Sequence, residues 1–453
     1  MAVYCNERRQ SNKSYFALLV LFLPHLACNP LPSRLFFNQI QRLEYKVNYL
    51  ANELLKCQQK DHHLHMMRFQ NADITCNDGS TAGYYIKRSY QSKNWIIYLE
   101  GGWYCFNDAS CTKRMNISDI ESLMSSKNWP LQRRGSGILS SKASENPSWY
   151  DANHVLVPYC SSDVWSGNIS KSESGGKFSF MGYRIINEVI RELLMNGLMG
   201  AKQLILAGSS VGGIGVIMSI DRVAKMMSTA GSSCKVRGIA DSGWYLESKP
   251  DLSKCKINPT VCNSPSHGIR MGMSYWNGVL PETCSNMFQH EPWRCYFGHN
   301  VYKSLKSPLF IFQWIYDPTQ VLVHNPTSMN ASLMKGELLI NRLMSAALKM
   351  KKSVVKNGLS GVFLPACLSH SILTKSDWLM VKVKGYTLDH AVNCWISKEE
   401  RTNSSLSSIS RSTHCKSFLI DNCTLPQCNS RCSAPVIHSP ANFSQHQSCP
   451  DCL

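Results

Sequence analysis

Apolar residues along this chain come in short runs closed by glycine, proline or polar residues, with longer amphipathic stretches between the runs. Residues 83–86, 95–99, 153–159, 204–207, 236–240, 307–316 and 361–364 are mostly aliphatic or aromatic, with little polar alternation. That is the pattern of strands covered on both faces, as in a parallel sheet. Over 182–195, Ile185, Ile186, Val189, Ile190, Leu193 and Leu194 recur at helical spacing, and over 213–224 Val216, Ile217, Ile220, Val223 and Ala224 do the same. A further, partly basic helix is expected over 334–352. Strand, helix, strand, helix in this order predicts the α/β class, a mostly parallel sheet flanked by helices.

One junction carries chemistry as well as geometry. The run 204–207 leads at once into Gly208-Ser209-Ser210-Val211-Gly212. A serine nucleophile on a sharp strand-to-helix turn needs glycines two places before and two places after it, because neighbouring backbone passes where a Cβ would sit. Only Ser210 has them; Ser209 would need glycine where the chain has Ala207 and Val211. A second strand, 95–99, ends in Glu100-Gly101-Gly102-Trp103. In serine hydrolases of this layout the loop after an early strand lends a backbone N–H to the oxyanion hole. The N–H groups of Gly102, Trp103 and Val211 are therefore the candidate donors.

A serine hydroxyl needs a general base, and the base needs a carboxylate to orient it. In the order Ser, acid, His, both follow Ser210 in the chain. His370 is the histidine that sits in a loop directly after a late apolar strand, 361–364. Asp241 and Asp317 each close a strand, and the shorter distance along the chain to the His370 loop favours Asp317.

Composition adds a compartment. The 20 cysteines in 453 residues are too many for free thiols in a reducing environment and predict a disulfide-rich, secreted, extracellular protein. Arg8, Arg9 and Lys13 ahead of the apolar run 15–23, followed by Ala27 and Cys28, read as a signal peptide over 1–27 rather than a membrane span. Ile40, Leu43, Val47, Leu50 and Leu54 predict a lead-in helix within 28–65; the catalytic α/β domain is expected over 66–400 and a Cys-rich tail over 401–453. In that tail Cys423, Cys428 and Cys432 have a spacing that zinc sites also use, but an oxidising compartment favours disulfides, so no metal and no cofactor are expected. Cys105 with Cys111, and Cys255 with Cys262, are close enough to close local loops. Sequons at Asn116, Asn168, Asn330, Asn403, Asn422 and Asn442 are open to glycosylation. The formal charge of +18 fits a peripheral attraction to acidic glycans at the cell surface better than a nucleic acid, and fits a merely soluble basic surface equally well; Lys349, Lys351, Lys352 and Lys356 are a candidate patch.

The stretches Y-L-E-G-G-W-Y-C-F-N (98–107), P-Y-C-S-S-D-V-W-S-G (158–167), A-G-S-S-V-G-G-I-G-V (207–216), V-R-G-I-A-D-S-G-W (236–244) and P-A-C-L-S-H (365–370) closely resemble the palmitoleoyl-protein carboxylesterases of the pectin acetylesterase family. The resemblance runs over about residues 70–432. It implies an α/β-hydrolase fold and a cofactor-free carboxylic ester hydrolase that removes the palmitoleate ester from Wnt-type signalling proteins, thereby damping Wnt signalling. It also implies a Ser210, Asp317 and His370 triad, oxyanion donors at Gly102, Trp103 and Val211, and acyl-pocket walls at Trp103, Tyr245, Ile269, Tyr296 and Phe297. Glypican and its heparan sulfate chains are the partners it implies. The family usually has alanine after the nucleophile and threonine three places further on, where this chain has Val211 and Ile214. Tyr245 and Tyr296 stand at pocket positions where phenylalanine is expected, and a buried hydroxyl needs a partner. Two other functions fit the same residues: a weakly active or inactive binder of lipidated ligands or sulfated glycans, and an esterase for shorter acyl groups.

Overall fold

A computed structural model describes residues 62–247, 265–322, 337–354, 360–402, 415–422 and 424–432. The expected signal peptide, the helix expected over 35–60, the Cys255 and Cys262 pair, the sequons at Asn330, Asn403 and Asn442, and Cys423, Cys449 and Cys452 lie outside these residues.

Twelve strands are assigned: β1 (His63–Arg68), β2 (Gly83–Lys87), β3 (Asn94–Leu99), β4 (Gln132–Arg134), β5 (Asn153–Val157), β6 (Gln203–Ser209), β7 (Lys235–Asp241), β8 (Leu309–Phe312), β9 (Ser360–Leu364), β10 (Lys382–Val383), β11 (Tyr386–Thr387) and β12 (Phe418–Ile420). All but the β10 and β11 hairpin join one ten-stranded sheet, in the order β12-β9-β8-β7-β6-β3-β5-β2-β1-β4. The ladder is parallel from β12 through to β5 and antiparallel from β5 to β4. This is the mostly parallel α/β-hydrolase architecture that the apolar runs predict.

The central strands show why the pattern was readable. Leu204, Ile205, Leu206 and Ala207 of β6 are each fully buried, and β3 on one side and β7 on the other are nearly so. A strand covered on both faces has no polar positions to alternate with, and each such aliphatic side chain contributes about 1.5–3 kcal/mol on burial. Four helices matter for the site: α1 (Asp108–Met115), α2 (Gly182–Met195), α3 (Val211–Thr229) and α4 (Pro265–Tyr275). Helix α3 packs on β3, β6 and β7, and α2 on β2 and α3. Strand β3 feeds a connection towards β5, whereas β6 feeds one towards β7. The carboxyl ends of β3 and β6 therefore border a topological switch point, where open α/β sheets form their crevice.

Two elements depart from expectation. The run 307–316 is a strand only over Leu309–Phe312; beyond it the Gln313 N–H still donates to Phe363 O at 3.2 Å and the Ile315 N–H to Pro365 O at 3.0 Å, before the chain turns towards Asp317. Strand β12 lies within 401–453, yet Phe418 pairs with Val362 and Ile420 with Leu364. Cys367–Cys432 and Cys394–Cys415 tie the same segment to the rest. The expected Cys105–Cys111 loop is formed, and Cys76–Cys160 and Cys284–Cys295 are further bridges. Among the described residues no helix is long and apolar enough to cross a membrane.

Candidate active site

Ser210 stands between β6 and α3 with φ 57° and ψ −124°. That backbone region costs a non-glycine residue on the order of 1–3 kcal/mol, and it persists only where the surroundings enforce it. Here they do. The Ser210 N–H donates to Asp241 O at the end of β7, at 2.8 Å. A Cβ on Gly212 would lie 2.0 Å from Leu99 O, and one on Gly101 would lie 2.7 Å from Ser209 O. The end of β3 thus presses directly on the elbow, which is the close approach those glycines were expected to permit.

The loop after β3 is equally constrained. Trp103 has φ 60° and is 39% exposed, its ring stacked on Tyr104 with centroids 4.7 Å apart. Arg114 of α1 is buried beneath this loop and donates to Gly102 O through Nη2 and to Ser162 Oγ through Nε. Burial lowers its pKa to about 10, which leaves it charged at neutral pH. Val211 is the first residue of α3, so its N–H has no intrahelical acceptor and lies at the positive end of the helix dipole. Trp103 and Val211 line one cavity beside Ser210.

Asp317 follows β8, and its carboxylate is fully buried. Its Oδ2 accepts from His370 Nδ1 at 2.8 Å and from Gln313 Nε2 at 2.9 Å. Its Oδ1 accepts from the Thr319 N–H and from Thr319 Oγ1, at 2.9 and 2.6 Å. Asp317-Pro318-Thr319 is a helix start: the aspartate caps Pro318–Leu322, with proline where an amide proton would be orphaned anyway. His370 Nδ1 also lies 3.2 Å from Thr319 Oγ1. The acid and the base expected from the sequence are therefore joined.

Asp241, the other acid considered, is spent elsewhere. Its carboxylate accepts from Ser209 and Ser242 Oγ and from the N–H groups of Ile372 and Leu373, at 2.8 and 3.0 Å for those two amides. It clamps the segment that follows His370 onto the end of β7 and, through Ser209, links it to the end of β6 that carries the nucleophile, and the Ser371 N–H adds a bond to Ser242 Oγ at 3.0 Å.

Among the described residues the Ser210 hydroxyl is hydrogen-bonded to Tyr245 Oη at 3.3 Å, not to His370. Burial raises the Tyr245 hydroxyl pKa, so this group stays protonated. Catalytic serine–histidine contacts are often long or poorly aligned in a free enzyme and tighten with substrate. The Tyr296 hydroxyl also has its partner. Ser166 Oγ donates its single proton to Asp163 O at 2.7 Å, so the 2.6 Å contact is Tyr296 donating to Ser166. The expected pocket positions Trp103, Tyr245, Ile269, Tyr296 and Phe297 all line one cavity, joined by Tyr104, Val211 and Ile214.

The Pectinacetylesterase family pattern matches residues 55–433. The chain belongs to the pectinacetylesterase family. It is 44% identical over 392 residues to the human palmitoleoyl-protein carboxylesterase NOTUM, covering 85% of this chain and 77% of that one. It is 43% identical over 385 residues to the Xenopus laevis carboxylesterase notum2, covering 83% and 75%. Against the Drosophila melanogaster NOTUM it is 40% identical over 331 residues, covering 72% and 47%.

Sequence reasoning did not find every residue of the candidate site. Val211, expected as an oxyanion donor, and Ile214, one helical turn after it, also line the cavity, and helical spacing from the nucleophile could have placed both there. Gln313 and Gln320 carried no local signal. Gln313 Oε1 accepts from the Trp244 N–H at 3.0 Å, and Gln320 Nε2 donates to Trp244 O at 2.9 Å. Together they grip the backbone beside Tyr245 across more than sixty residues of chain.

Proposed function

We propose that this chain is a secreted serine carboxylesterase that removes an O-linked acyl group from a signalling protein of the Wnt type. The palmitoleoyl-protein carboxylesterase activity in the relatives' names supports this reading. So does the structural observation that carries it: the buried Asp317–His370 pair at 2.8 Å, held at the end of β7, the strand next to the one that bears the strained Ser210. Ser210 Oγ attacks the ester carbonyl as His370 Nε2 takes its proton, and Asp317 holds the imidazole through Nδ1. The N–H groups of Gly102, Trp103 and Val211 receive the oxyanion. His370 then protonates the departing alcohol, water cleaves the acyl-serine by the same route, and the carboxylic acid leaves. Five disulfides with both ends among the described residues, and the disulfide-bonded Cys428 besides, fit an extracellular setting. A cleft of about 420 Å³ with Lys382, Lys384 and Arg431 in its wall is a place for a sulfated glycan of the heparan type, such as a glypican carries.

The test compares wild type with Ser210→Ala on p-nitrophenyl esters and on a palmitoleoylated peptide. Wild type should turn over and the variant should lose at least about 10³-fold in kcat; equal rates would remove the assignment. A second reading, preference for shorter acyl groups, is favoured by the size of the cavity and is developed next.

A further inference from the structure

The cavity beside Ser210 measures only about 20 Å³, room for little more than one water molecule. Pockets that bury a whole ligand begin at roughly 300 Å³. A sixteen-carbon chain, with each methylene filling about the room of one water molecule, takes the space of roughly fifteen waters, against the one or two that this cavity holds. The space is taken up by identifiable side chains. Val211 and Ile214 project from the first turn of α3 and are buried. Tyr245 reaches across to the nucleophile. Tyr296 closes another wall, its hydroxyl fixed on Ser166.

These walls are held, not merely present. The backbone on both sides of Tyr245 is bonded to Gln313 and Gln320, at the Trp244 N–H, Trp244 O and Leu246 N–H. Ser166, which fixes Tyr296, is itself bonded to Asp163 O. Trp276 meets the Tyr296 ring edge-on with centroids 6.1 Å apart. A β-branched residue on a helix has one strongly preferred rotamer, so Val211 and Ile214 cannot fold away locally.

We infer that Val211, Ile214, Tyr245 and Tyr296 are specificity determinants that shorten the acyl pocket, so that this enzyme handles short O-acyl esters, acetyl to butyryl, far better than long ones. The inference rests on the serine-esterase reading and sets its substrate class. The reaction is plain hydrolysis: the acyl carbon–oxygen bond breaks, water supplies the new oxygen, and a short carboxylic acid and a free alcohol result. Palmitoleoyl turnover then requires Tyr245 and Ile214 to move, and this chain is a slow palmitoleoyl-protein carboxylesterase.

The experiment is kcat/KM for the secreted, disulfide-intact protein on acetyl, butyryl, octanoyl and palmitoleoyl esters of one alcohol, for wild type, Ile214→Val and Val211→Ala/Ile214→Thr/Tyr245→Phe. Wild type should lose at least about tenfold between butyryl and octanoyl, since even one methylene too many for an apolar pocket costs about 10–200-fold. The triple variant should raise the octanoyl-to-butyryl ratio at least about tenfold, and Ile214→Val should raise it less. Because the ratio is taken within each protein, partial misfolding of the triple variant cancels, and the conservative Ile214→Val stands in if it does not fold. Octanoyl or palmitoleoyl turnover by wild type as fast as butyryl would overturn the inference. No turnover of any ester, with Ser210→Ala indistinguishable from wild type, would instead remove the serine-esterase reading and this inference with it.

Discussion

The residues that decide the chemistry differ from their neighbours in what surrounds their polar atoms. Asp317 and Asp241 are both buried carboxylates at strand ends, each with several donors. Only Asp317 has an imidazole among its partners. We expect Asp317→Asn to lower kcat on a butyrate ester by about 10³–10⁴-fold, because an amide in that place selects the wrong imidazole tautomer. Steady-state kinetics on the folded variant check this, and activity within tenfold of wild type would contradict it. The sequence named both aspartates and favoured, by distance along the chain, the one that is bonded to His370. What it could not hold was the reason. The four donors to Asp241 come partly from Ile372 and Leu373, more than 130 residues away in sequence. The hydroxyl partners of Tyr245 and Tyr296 were hidden for the same reason.

At the scale of elements, the strand-turn-helix around Ser210 is where local sequence and tertiary contact agree most closely. The glycines were legible because a sharp turn needs them; that they are pressed by Leu99 O, from a strand about a hundred residues earlier, was not. Gly212→Ala puts a methyl group 2.0 Å from that carbonyl, a clash with backbone that no side-chain rotation relieves. We expect a loss of at least about 3 kcal/mol, or roughly 6 °C or more in Tm, together with loss of esterase activity. Thermal unfolding followed by circular dichroism measures it, and a Tm within about 2 °C of wild type would be inconsistent with this packing. The parallel strands were legible because burial on both faces leaves an unbroken apolar run. The antiparallel edge was not: β1 carries His63 and His65, and β4 is Gln132-Arg133-Arg134, exposed or half-exposed residues without an apolar signal. Strand β8 was overextended for the opposite reason. Trp314, Ile315 and Tyr316 are buried like strand residues but lie on the turn that delivers Asp317.

For the whole molecule, the loop that carries His370 is held by the segment 421–432. Cys367, three places before His370, is bridged to Cys432. The Leu368 N–H donates to Gln427 Oε1 at 2.7 Å and the Ala366 N–H to Asp421 Oδ2 at 2.8 Å. Composition alone made 401–453 look like an appendage, because serine, asparagine and cysteine dominate it; the three apolar residues of β12 were too short a run to register. The fold thus gathers groups from Gly102 to His370 at one edge of one sheet and sets a small cavity beside them. The most direct measurement treats the protein with a fluorophosphonate, which phosphonylates only a serine made nucleophilic by its base, and locates the adduct by peptide mass spectrometry. The predicted result is one adduct per chain, on Ser210, formed at least about 100-fold more slowly in His370→Ala. An adduct on another residue, or a labelling rate untouched by the loss of His370, would contradict the account.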